Sequence, residues 1–365
     1  MEMEASNRET QIYPLSKGKR FVAFLADFFL VFIISFAFFH LAVYPIVAFS
    51  SHLYEEQENI QVIQKERDST LYGNGLLFYD DTKSDAKPTS FSRNLIYTCN
   101  LYASSIVNSN RDYDVFYRYF SSIKGDETLY EEWIKTMDAN AHFFSYSPAA
   151  LLPKYVEEFS PIFEEGNAPS KQGEEDFERF QKEFFLPGYS SLIRDIQEND
   201  LTYNGISYKE QQKKVDSFAK KGNTVVVSSV IGSYVLSSAI VYILVPLISK
   251  TRKTLGMIFL RRERVDSRKL MPLRRRDLPL MFFYAIFINA GLLFLVPWPI
   301  ISFNELFSIP VLWELSLFSL LLDLASLIFL LFSSMDQTLV DKLTSTAMLE
   351  EEEMDMIYRT KGYGD

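Results

Sequence analysis

Hydrophobic residues gather in four blocks. The first, at 21–49, reads FVAFLADFFLVFIISFAFFHLAVYPIVAF and contains one charge, Asp27. A hydrocarbon core of ~30 Å takes about 20 apolar helical residues, so this block is long enough to cross a bilayer with tilt. It is too long for the core of a cleaved signal peptide and has no small-residue cleavage pattern. The other blocks lie at 223–249, 280–301 and 310–333. Pro246 falls near the end of the second, Pro297-Trp298-Pro299 closes the third, and Trp313 opens the fourth. Aromatic rings at such ends suit the headgroup zone. The short link ISFNELFSI predicts an antiparallel hairpin of the last two helices.

Between the first two blocks, residues 50–222 are polar and patterned with a helical period. HLYEEQENIQVIQKERDS, LYEEWIKTMDAN and EEDFERFQKEFFL each read as helices, and YKEQQKKVDSFAKKG leads directly into the second block. Breaks are expected at Gly73–Gly75, Pro88, Pro148, Pro153, Pro161, Pro169 and Pro187. The insertion is large enough for a core of its own. The fold class expected is an all-α integral membrane protein, a four-helix transmembrane bundle with a mainly helical extracytoplasmic domain.

Charge sets the orientation. Residues 250–279 hold 11 Lys/Arg against Glu263, Asp266 and Asp277, and Lys17, Lys19 and Arg20 precede the first block. Basic flanks stay cytoplasmic. The expected order is therefore a cytoplasmic tail (1–20), helix (21–49), extracytoplasmic domain (50–222), helix (223–249), basic cytoplasmic loop (250–279), helix (280–301), helix (310–333) and cytoplasmic tail (334–365). Within 50–222 there are 29 acidic and 19 basic side chains, so the whole net charge of -10 resides there. That excess argues against a nucleic-acid binder. The arginine runs at Arg261, Arg262, Arg264 and Arg274–Arg276 suit anionic lipid headgroups. A lone Cys99 excludes an internal disulfide and a CxxC site. There is no P-loop, GxGxxG, GxSxG or HExxH pattern, and His40, His52 and His142 are scattered. The sequence points to no catalytic residue, metal or cofactor.

Polar groups inside the apolar blocks need a partner or a purpose. At 1.5 Å per residue, Asp27 lies ~10 Å, Asn289 ~13 Å and Asp323 ~18 Å from the inner surface, compatible with one polar layer. Such a layer either handles protons or cations or pins the bundle through pairing. Serines 228, 229, 233, 237 and 238 with Gly232 form a packing seam on the second helix.

GKRFVAFLADFFLVF, with Arg20 and Asp27, resembles the opening of the RDD family of membrane proteins. TLGMIFLRRERVD, with Thr254 and Gly256, resembles its turn after the second helix. VDKLTSTAML, with Asp341, Lys342, Leu343 and Thr346, resembles its Asp-Lys-Leu-Ala-Gly-Thr ending. Met257 departs from a usual lysine, and Thr344–Ser345 from Ala-Gly. The resemblance covers 15–49 and 223–349. It implies a transport-related role, with sodium/proton exchange as one candidate. At one inner surface, Arg20 would pair with Asp341 and so staple the first and last helices, while Asp27 would take Arg252 or Lys253. A non-catalytic scaffold, whose outer domain binds a partner protein or cell-envelope component, is the competing class. Four helices make a thin bundle, which a homo-oligomer or a membrane-complex partner would complete.

Overall fold

The computed structural model describes residues 17–80, 90–146, 149–164, 173–249, 253–267, 271, 273, 278–302, 309–333 and 337–360. Pro88, Pro148, Pro169, Arg252, Arg274–Arg276 and most of the link between the last two blocks lie outside them. Two compact units form: Met1–Tyr54 with Lys220–Asp365, and Glu55–Ala219.

Among the described residues three helices are long and apolar enough to cross a bilayer, Lys17–Ser50, Tyr208–Ile248 and Pro310–Phe332, and their apolar stretches belong to the first unit. Val31, Phe39, Val230, Val241, Leu293, Val296 and Leu312 form their core. Ile33, Leu41, Ile46, Leu321, Leu324 and Phe332 are exposed. An apolar surface of that kind marks a lipid-facing protein. The third block departs from the expected helix over 280–301. It is α-helical over Leu278–Ile288, tightens to a 3-10 helix over Asn289–Leu295 and ends in turns. Two features explain the change. The Asn289 side chain donates to Ala285 O (2.9 Å), competing with the backbone ladder. Ser319 Oγ, on helix Pro310–Phe332, donates to Ile288 O (2.8 Å), and Ser316 Oγ accepts from Phe294 N–H (3.3 Å). These serines supply partners for backbone groups at the transition.

Three of the prolines within long helical runs share one device. Pro45, Pro187 and Pro246 each follow a π turn by two residues, after Phe39–Val43, Gln181–Phe185 and Ile240–Leu244. A widened turn relieves the clash between the ring and the preceding turn, and proline has no N–H to offer the ladder. The break expected at Pro187 is thus a continuous helix. Pro161 also sits inside a helix, Pro153–Glu164, which Pro153 opens.

The segments read as a basic loop and a tail meet in a sheet. Strand Arg262–Asp266 pairs antiparallel with Thr346–Glu350, in register Arg262↔Glu350 through Asp266↔Thr346. Val265, Ala347 and Leu349 pack on Met354 and Ile357 of helix Glu351–Thr360. Arg262 pairs with Glu350 (3.0 Å) and Arg264 with Asp341 (3.3 Å), so these two arginines serve the protein rather than lipid.

The Glu55–Ala219 unit is mainly helical, with two short hairpins, Phe144–Tyr146/Ala149–Leu151 and Thr202–Tyr203/Ile206–Ser207. Its core is aromatic: Tyr102, Phe116, Phe143, Phe159, Phe180, Phe184 and Phe185 are fully buried. Offset and edge contacts such as Tyr102–Phe116 (5.0 Å) add to the area these rings bury. Two buried carboxylates fix the chain around it. Asp114 accepts from the N–H groups of Phe116 and Tyr117 and from the Tyr130 hydroxyl. Asp138 accepts from Phe143 and Phe144 N–H and from Tyr146.

Burial raises the Asp114 carboxyl from 3.8 to about 6, against the pull of those hydrogen bonds and Arg111. A folded-state value above the unfolded one means that ionising Asp114 costs stability as pH rises from 3.8 to about 6. The stability of the wild type relative to Asp114→Asn should therefore fall across that window and level off above it. Thermal unfolding of the two proteins between pH 4 and 7 checks the sign; a relative stability that grows with pH contradicts it.

A buried ionic cluster as candidate functional site

The first helix brings Arg20 and Asp27 to one face, two turns apart. Both are buried. Asp27 meets the segment after the second long helix: Thr254 Oγ1 donates to Oδ2 (2.7 Å) and Gly256 N–H donates to Oδ1 (2.8 Å). Thr254 also caps the short helix Leu255–Phe259, its hydroxyl accepting from Met257 N–H (3.3 Å). Only glycine fits at 256. A Cβ there would lie 2.5 Å from Asp27 Oδ1 and 3.3 Å from Ala23 O.

Lys253 does not serve Asp27. Thr254 is extended, so its neighbour Lys253 faces the other way. The Lys253 ammonium lies 2.8 Å from Glu351 and 3.8 Å from Glu263. Arg252, the other cation expected beside Asp27, is outside the described residues.

Arg20 Nη1 lies 3.7 Å from Asp341 Oδ2, and Nη2 donates to Met348 O (2.8 Å). Asp341 closes a capping box with Thr338: Thr338 N–H (3.2 Å) and Oγ1 (2.9 Å) donate to its Oδ2. Thr346 Oγ1 donates to its Oδ1 (3.0 Å), and Arg264 approaches from the sheet. Two guanidinium groups, Arg20 and Arg264, thus balance two carboxylates, Asp27 and Asp341. Lys342 is exposed and takes no part.

These four charges wall a cavity of about 50 Å³ with Tyr242 and Asn289. That is room for one or a few waters. Asn289 Nδ2 donates to the Tyr242 hydroxyl (2.7 Å), and its Oδ1 has no hydrogen-bond partner among the described residues. Asp323 lies apart from this cavity. It lines a second one, of about 30 Å³, with Arg20, Phe24, Ser326 and Thr338. Its Oδ1 has no hydrogen-bond partner among the described residues. The single polar layer expected of Asp27, Asn289 and Asp323 is therefore two small cavities with Arg20 in the wall of both.

Sequence reasoning missed several members. Tyr242 and Thr338 carry no signal of their own. Arg264 does: in RERVD, arginines and acid or valine alternate, the period of a strand rather than of a lipid-facing loop. His40 is also engaged, its Nε2 hydrogen-bonding to Val296 O (3.1 Å) and Trp298 O (2.9 Å) where the third block ends. No protein-family model, curated protein or solved structure matches the chain.

Replacing Gly256 with alanine forces the Asp27 carboxylate out of its seat. An overpacked buried site typically loses 1–3 kcal/mol, so Gly256→Ala should destabilise the protein by about that much. Thermal unfolding in detergent reads the effect; an unchanged midpoint excludes the close fit.

Proposed function

We propose that this chain is a polytopic membrane protein of the RDD type, transport-related, handling a small cation or an unidentified ligand at Asp323. Four apolar segments cross the bilayer, with both termini and the 250–279 segment cytoplasmic and residues 50–222 extracytoplasmic. Anionic headgroups meet the basic flanks. The charge asymmetry supports this orientation, because basic residues flank the first helix and crowd 250–279.

Support for the family comes from convergence. Arg20, Asp27, Thr254, Gly256, Asp341 and Thr346, drawn from three separated motifs, are linked by ion pairs and hydrogen bonds. Position 345, where the family pattern has glycine, is left-handed backbone at Ser345 (φ 53°). Glycine suits that conformation best, so the departure is conservative in shape if not in cost.

The observation that carries the transport reading is Asp323. Thr254 and Gly256 occupy Asp27, and two arginines and two threonines occupy Asp341. Asp323 keeps an unbonded carboxylate oxygen on a full-length apolar helix, facing a cavity. Such a group is a ligand for a proton or a hard cation. The cavities at the cluster are small, so a pathway is completed by a second copy or a partner subunit.

A scaffold role is the second reading. It is favoured by a groove of about 360 Å³ in the Glu55–Ala219 unit, where Ile96, Phe163 and Phe177 face Glu174 and Glu178. There the unit would hold a partner protein or cell-envelope component.

Purified protein in proteoliposomes separates the two. Asp323→Asn should abolish proton- or sodium-dependent flux while the helical spectrum stays unchanged. Flux equal to wild type defeats the transport reading.

A further inference from the structure

A second groove in the Glu55–Ala219 unit has the make-up of a small-molecule site, and it depends on neither reading above. It encloses about 250 Å³. That is below the usual range for drug-sized ligands, ~300–1,000 Å³, so its occupant is small. One end is apolar. Trp133, from helix Thr128–Asp138, and Phe120 form the walls, with ring centroids 5.9 Å apart. Phe116 and Leu192 are buried at the floor, and Leu129 is exposed at the rim. The indole is held closely. A Cβ at Gly188 would come 2.9 Å from Trp133 Cη2 and 3.3 Å from Phe116 Cζ, so a side chain there would displace the ring.

The other end is polar and carries both signs of charge. The Lys124 ammonium lies 2.6 Å from Asp195 Oδ2, and both side chains are about one-third exposed (30% and 37%). Asp195 is fixed from behind: the Tyr119 hydroxyl donates to Oδ2 and Asn199 Nδ2 donates to Oδ1 (2.8 Å). Among the described residues Lys124 has no such brace beyond Asp195 and the face of the Tyr119 ring (5.5 Å). An ion pair with that much solvent contact contributes little to stability, so opening it costs little.

A ligand that bears an ammonium and a carboxylate on one carbon replaces this pair without leaving a charge unmatched. Its carboxylate takes Lys124 and its ammonium takes Asp195. One ion pair becomes two, and the net charge of the groove is unchanged. A large apolar substituent on the same carbon then reaches the indole and Phe120, where removing apolar surface from water adds to affinity. We propose that this groove binds a free α-amino acid with an aromatic or branched apolar side chain. Lys124 and Asp195 would fix its head, and Trp133 and Phe120 would hold its side chain.

The test uses the full chain in nanodiscs, with L-phenylalanine and L-leucine as probes and calorimetry and tryptophan fluorescence as readouts. N-acetyl-L-phenylalanine and L-phenylalaninamide each lack one of the two charges. Saturable binding of a free amino acid is expected, weakened about tenfold or more in each blocked analogue, the ratio expected for losing one charge-assisted contact. Lys124→Met and Asp195→Asn should weaken binding similarly while the circular dichroism spectrum is retained. If either variant fails to fold, discrimination among the analogues by the wild type decides. No saturable binding by ~10 mM, which is weaker than any useful site, overturns the proposal. Equal binding of free and blocked analogues overturns it as well, since the rings alone would then explain the contact.

Discussion

A charge taken out of water must be matched, and the unit containing the long apolar helices is organised around that constraint. Removing a guanidinium or a carboxylate from water costs several kcal/mol after relaxation, and only a near partner with satisfied hydrogen bonds recovers it. Arg20, Arg264, Asp27 and Asp341 meet this condition together. The arginines come from the first helix and the sheet strand, the carboxylates from the first helix and the segment after the last. Thr254, Gly256, Thr338 and Thr346 fill most of the remaining lone pairs of the carboxylates. Because the donors sit on different segments, the cluster specifies which segments meet. Apolar packing alone does not, since lipid tails are as apolar as leucine.

The same logic governs the Glu55–Ala219 unit in a different solvent. Its core is built from rings, which bury much area but leave the surrounding turns with unpaired N–H groups. Asp114 and Asp138 take up those groups from within. The unit therefore combines an apolar interior with anionic pins, and its surplus acid lies on the outside. Its grooves open between helices whose inner faces are already spoken for.

What the sequence made legible follows from signal length. Three long helices stood out because predominantly apolar stretches of more than 20 residues have one reading. Arg20, Asp27 and Asp341 stood out as charges in or beside those runs. The change of helix type inside the third block was not legible, because hydropathy is blind to it: Asn289 and two serines on the neighbouring helix turn seven of its residues into a 3-10 helix. The sheet was hidden for another reason: five-residue strands separated by some 80 residues leave no joint pattern, and the arginines in one of them suggested lipid. Lys253 was wrongly matched to Asp27 because proximity in sequence says nothing about side; one extended residue, Thr254, turned it toward Glu263 and Glu351. Tyr242 and Thr338 were not legible, being common residues whose role exists only in three dimensions.

A double-mutant cycle on Arg20 and Asp341 tests the central claim most directly, with reversible unfolding in detergent or bicelles as the readout. Breaking a buried pair from one side typically costs 3–5 kcal/mol. Arg20→Met and Asp341→Leu should each lose stability on about that scale. The double variant leaves Arg264 facing Asp27, still neutral, so it should lose clearly less than the sum of the two. Strict additivity would contradict the account, because it would mean that the two charges are stabilised independently of each other.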